Sequence, residues 1–145
     1  MKIEEKELVE EELNNLEEED LFFITFPGRM GDVYGCSFVI KKNDIITFYR
    51  IENLYEFKGN IYKQFPKWNE ALKNYSEKKE SKKYEIIYMG FGNLLGVDKS
   101  IFNIFKPLAE DKMKNISEDY DNNLKFGAAC YTYWREIVKN MFINK

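Results

Sequence analysis

Three runs of β-forming residues between Leu21 and Ile51 are separated only by short polar connections, and this limits the folds open to the chain. Leu21-Phe-Phe-Ile-Thr-Phe26 is rich in β-formers, and Pro27-Gly28-Arg29-Met30-Gly31-Asp32 follows as a turn. From Val33 to Ile40 the pattern alternates, with Tyr34, Cys36, Phe38 and Ile40 on one face. Lys41-Lys42-Asn43-Asp44 then leads into a third run, Ile45 to Ile51. Connections this short join antiparallel neighbours, because a parallel pair needs a crossover of a dozen or more residues. The stretch predicts a three-stranded meander. Tyr84 to Met89 reads as a further strand with Leu94 to Val97 as its hairpin partner, and Leu54 to Ile61 is ambiguous, with a short strand ending at Gly59 as one reading.

Helical spacing brackets these strands. Pro66 suits the first position of a helix that places Trp68, Leu72 and Tyr75 on one face. Ser100 can cap a short helix through Ile101 and Phe105, with a break at Pro107 and a restart through about Lys114. The clearest periodicity is C-terminal: Phe126, Ala129, Cys130, Tyr133, Trp134, Ile137, Val138, Met141 and Phe142 keep 3, 4 spacing, which marks a core face. Residues 3–19 hold no Gly or Pro, and Val9, Leu13 and Leu16 recur at i, i+4 and i+7. They predict an acidic helix docked by one edge. The expected architecture is a single α+β domain over residues 1–145. Its antiparallel sheet of about 4–6 strands is packed by the N-terminal acidic helix, a middle helix and C-terminal helices.

Charge is unevenly placed. Residues 1–20 carry ten acidic side chains against Lys2 and Lys6, a balance of −8, whereas the remaining 125 residues sum to +5. An acidic run of this kind is a solvated face, a binding surface for a basic partner, or an intramolecular shield over the basic body. As a binding surface its residues are Glu10, Glu11, Glu17, Glu18, Glu19 and Asp20, with Glu118, Asp119 and Asp121 as a second patch. Lys73, Lys78, Lys79, Lys82 and Lys83 are interleaved with Glu77 and Glu80 in a charged loop. They read as a solvated loop rather than the aromatic-lined basic groove of a nucleic-acid module.

Several chemistries are disfavoured. The chain has no histidine, so no Ser-His-Asp or Cys-His pair can form and no histidine-ligated metal can be held. Cys36 and Cys130 form no metal-type spacing and read as buried free thiols, with a single long-range bridge as the alternative. Asp32, Glu52, Asp98 and Asp119 are scattered. The reading is therefore a non-enzyme with no catalytic residue, cofactor or metal. No signal-peptide pattern and no run of about 20 apolar residues is seen, which predicts a cytoplasmic protein that does not enter membranes.

Gly90-Phe91-Gly92-Asn93-Leu94-Leu95-Gly96 follows the Tyr84–Met89 strand as G-x-G-x-x-x-G. Phosphate-cradling turns use such glycines, but there the turn opens a helix within alternating βα units. Here the next helix begins only near Ser100, so the segment reads as a bend between two strands. The alternative is a small nucleotide- or ligand-binding domain or enzyme that uses this turn, with Asn93 and Asp98 as its polar groups.

Tyr88-Met89-Gly90-Phe91-Gly92-Asn93, continuing through Leu94-Leu95-Gly96-Val97 to Ile101-Phe102-Asn103, resembles a segment of immunity proteins from bacterial contact-dependent growth inhibition systems. The resemblance covers about 20 of the 145 residues. Gly96 departs from it, standing where a larger, often aromatic residue is expected. What the resemblance implies is inhibition by binding: a cytoplasmic protein that occupies one cognate toxin domain, often a basic nuclease, through an acidic surface.

Overall fold

The computed structural model describes residues 2–26, 36–51, 54–90, 93–108, 111 and 135–142. It is an α+β protein built on a six-stranded mixed sheet in the order β1-β4-β3-β2-β6-β5. The expected meander forms its centre: β2 (Leu21–Phe26), β3 (Ser37–Lys42) and β4 (Ile45–Arg50) are consecutive antiparallel neighbours. β5 (Tyr84–Gly90) and β6 (Asn93–Asp98) form the expected hairpin, closed by the pair Gly90 and Asn93, and β6 lies antiparallel to β2. The glycine-rich segment is thus a hairpin bend that opens no helix.

The N-terminal segment differs from its predicted helix. β1 (Lys2–Glu7) is an edge strand parallel to β4, in register from Lys2 beside Ile45 to Glu7 beside Arg50. Only α1 (Glu10–Asn15) and a 3-10 turn (Glu18–Asp20) are helical. Two forces oppose one long helix. Carboxylates three and four apart would repel along its surface, and β4 would keep an unpaired edge. Pairing satisfies that edge, with the Lys2 and Leu8 amides donating to Asp44 and Arg50 carbonyls at 2.8 Å each. Alternation then sorts the charges. Glu5 meets Arg135 at 3.2 Å and Lys139 at 3.0 Å on one side, while Glu4 and Lys6 face the other. The charged side chains also guard the edge against further pairing. The buried stripe becomes Leu8, Leu13 and Leu16, and Val9 is left 51% exposed.

The ambiguous segment 54–61 belongs to α2 (Leu54–Gln64). Leu54, Phe57 and Ile61 are buried at helical spacing, and Gly59 lies on the open side with nothing within contact of a modest side chain. α3 (Pro66–Ser76) starts at the expected proline. Trp68 and Ala71 are buried, Leu72 is half-buried, and Tyr75 lies off the buried face.

Helices cover both faces of the sheet. On one, α1, α2 and α3 enclose Ile24, Phe26, Phe38 and Ile40 together with Phe65 and Trp68. On the other, Phe23, Val39, Phe48, Leu95 and Val97 pack with Phe105 and Val138, from helical segments at 102–108 and 135–142. The helical run 102–108 includes Pro107 instead of breaking before it. Asn103, whose carbonyl loses its amide partner, is exposed and open to water. Asp98, not Ser100, supplies the oxygen before this helix, accepting the Ser100 amide at 2.9 Å and its hydroxyl at 2.6 Å. Of the expected C-terminal stripe, Val138 is buried and Ile137, Met141 and Phe142 pack against the second core. Its members from Phe126 to Trp134, Cys130 included, lie outside the described residues. Cys36 is a buried free thiol, and burial pushes its titration well above the usual range.

Gly96 lies within β6, and Trp68 explains it. A Cβ placed there would lie 2.0 Å from Cζ3 of the buried indole. The larger residue expected at this position is excluded because α3 places its tryptophan ring against the strand there.

Candidate functional site: an acidic ridge between two clefts

The 3-10 turn Glu18–Asp20 is held by contacts that its acidic sequence does not announce. Phe65, at the N-cap of α3, provides no side-chain bond to the first turn. The Glu18 carboxylate supplies it instead, accepting the Trp68 amide at 2.8 Å. A carboxylate there satisfies one unpaired amide and complements the helix dipole. The Glu18 carbonyl accepts the Lys83 ammonium at 2.6 Å and the Tyr84 hydroxyl at 3.2 Å. Burial, and then the nearby Glu18 charge, push the Tyr84 phenol well above its ordinary range, so it stays a donor. Gln64 donates to the Leu16 carbonyl at 2.6 Å, and Asn60 donates to Glu10.

This ridge separates two clefts. The first, of about 430 Å³, lies between it and the β1-β4-β3 side of the sheet. Glu4, Glu12, Glu17 and Asp20 line it against Lys6 and Lys42, with Tyr49 and Ile40 among the less polar lining. The Lys42 ammonium lies 3.8 Å from Glu17 and 3.6 Å from Asp20, distances of loose ion pairs. Glu4 bonds Lys2 at 3.0 Å, and chiefly for that reason its carboxyl titrates below the usual range. The Tyr49 phenol is pushed up by burial and then by Glu12 and Glu4. The second cleft, of about 680 Å³, lies on the other side, where Glu19 pairs with Lys67 and, at 3.6 Å, with Lys83.

The six acids expected to share a surface are therefore divided. Glu17 and Asp20 share the acidic groove, Glu19 faces the second cleft, Glu10 is bonded to α2, and Glu11 is exposed on α1. Glu18 is turned inward as a structural clasp. Ion pairs of Asp20 with Lys42 and of Glu19 with Lys67 and Lys83 show that part of the segment shields the basic body, while Glu11 is exposed and Glu17, loosely paired with Lys42, stays largely in solvent. Glu118, Asp119 and Asp121 lie outside the described residues. Sequence reasoning misses Glu4, because a helix over 3–19 hides the alternation of β1; it misses Glu12, on a helical segment whose groove side no local pattern marks, and Lys42, which has the look of an ordinary hairpin-loop residue. Lys83, expected in a solvated loop, has a side chain that is only 17% exposed.

No family model, curated protein or solved structure matches this chain. Among the described residues no cluster of three or more acidic or cysteine ligands could hold a metal ion, and no helix is long and apolar enough to cross a membrane. Leu94, Leu95 and Gly96 line neither cleft.

Proposed function

We propose that this is a cytoplasmic immunity protein that binds and neutralises a cognate, basic toxin domain. The observation that carries the reading is the acidic groove: four carboxylates line one concave surface with two lysines, and a third, Lys2, pairs with Glu4 from its edge. The resemblance of Tyr88 to Asn103 supports the same class. Lysine or arginine side chains of the toxin would enter the groove and compete with the loosely held Lys42. Glu11 and Glu17, turned to solvent on the same segment, would steer the encounter, an effect screened by salt. Inhibition would come from occupying the toxin's surface, with no bond made or broken.

The test is to express the toxin domain encoded beside this gene with and without this protein. Survival only with the protein is the expected result, and equal death in both cultures would overturn the proposal. Replacing Glu11 and Glu17 by glutamine should slow association and flatten its salt dependence while leaving the fold intact. Glu18 is unsuited to this experiment because it holds α3.

A further inference from the structure

The larger cleft has no part in that reading, and its construction differs. It opens where the first turn of α3, the 81–83 loop and the end of β6 meet, and its volume of about 680 Å³ falls in the range of small-molecule sites. Lys67, Lys82, Lys83 and Lys99 line it with Ser81 and Ser100; its acids are Glu19, Glu70 and Asp98. Asp98 is already engaged by Ser100. Glu19 reaches both Lys67 and Lys83 with a side chain that is 69% exposed, whereas that of Lys83 is 17% exposed. The ammonium is built into the wall; the carboxylate it meets enters from solvent. Burial, and next the charge of Lys67, hold the Lys83 ammonium below its ordinary range, so added negative charge would favour its protonated form.

We propose that this cleft binds a phosphorylated small molecule, and that Glu19 occupies the place of its phosphate in the free protein. Glu70 and Asp98 also line the cleft, and Lys99 lies 3.8 Å from Glu85. Among the described residues, however, Glu19 is the one carboxylate paired with both Lys67 and Lys83, and Lys82 has no ion-pair partner. A phosphate brings up to two charges and three acceptor oxygens, and lysines serve it as point charges without a fixed geometry. Glu19 is the mobile member of these pairs: its own side chain is 69% exposed, and an incoming phosphate would replace the charge it withdraws from Lys67 and Lys83. The serine hydroxyls and the open side of the cleft leave room for the rest of the ligand. This site is independent of the toxin-binding groove across the ridge.

The probe is pyrophosphate, titrated at low salt into the full chain and followed through backbone amide shifts. Saturable changes should cluster at Lys67, Ser81 to Lys83 and Ser100. Glu19→Gln should tighten binding by about fivefold, and the double variant Lys67→Ala, Lys82→Ala should weaken it by about tenfold or more. Lys58→Ala, the removal of one exposed lysine on α2, should leave the affinity unchanged. Shifts spread evenly over surface lysines would overturn the proposal, as would an equal loss in Lys58→Ala or no gain in Glu19→Gln. Succinate, titrated in parallel, should bind more weakly; equal binding would overturn the assignment to phosphate.

Discussion

Single residues in this protein carry constraints that composition hides. Gly96 has the six-membered ring of Trp68 against its backbone, with Cζ3, Cε3 and Cη2 at 2.0, 2.6 and 2.8 Å from where a Cβ would stand. The ring is fully buried and cannot swing aside. Gly96→Ala should therefore destabilise the fold by about 1–3 kcal/mol, read from the urea midpoint. Combining it with Trp68→Leu should cost less than the two changes summed, because the smaller side chain vacates the space. Glu18 is a second case. Glu18→Ala removes the acceptor at the start of α3 and should cost about 1 kcal/mol, whereas Glu18→Gln keeps an oxygen there and should cost clearly less. Glu5 gives a pH signature. A hydrogen bond from Lys139, with help from Arg135, lowers its folded-state pKa below the ordinary carboxylate value. It therefore contributes stability above the unfolded-state pKa that is lost as pH falls through the folded value. Glu5→Gln should flatten the acid limb of the stability profile, and an unchanged limb would show that this pair is unimportant in solution.

At the scale of elements, β1 offers the sharpest test. Its Lys2 amide donates to Asp44, just before β4, and that of Leu8, just beyond β1, to Arg50 of β4, so by the period of two the Glu4 and Lys6 amides point the same way. Hydrogen exchange should be slow at Glu4 and Lys6 and fast at Ile3, Glu5 and Glu7. A helix over 3–19 would instead protect consecutive amides from Glu7 onward. The contrast shows what the sequence could and could not convey. The meander β2-β3-β4 and the β5-β6 hairpin were legible because period-two patterning and short turns are local signals. α3 was legible from Pro66 and the placement of Trp68. β1 was not, because its strand state depends on the distant edge of β4, and its Glu and Lys residues favour helix when judged alone. α2 was obscured for the opposite reason: Tyr55, Phe57, Ile61 and Gly59 are poor helix formers that tertiary packing overrides. The candidate site suffered most. Which acids face solvent depends on lysines 22 to 64 positions later in the chain, and no local pattern reveals that pairing.

For the molecule as a whole, the two cores share one sheet, so neither face can be lost alone. Phe105 is fully buried and packs near Phe23, with ring centroids 6.1 Å apart. Phe105→Ala should cost about 3–5 kcal/mol by equilibrium unfolding, with amides on both faces of the sheet losing protection together. The Glu18 clasp has a consequence in time. Its three partners, Trp68, Lys83 and Tyr84, follow it by 50, 65 and 66 residues. During synthesis the acidic segment leaves the ribosome well before anything exists to hold it, and its loops close only after the β5 residues have been made. Non-local closures of this length are slow steps. The mutual repulsion of its carboxylates keeps the waiting segment extended and soluble, so the same charges that line the finished groove also guard the nascent chain against premature collapse.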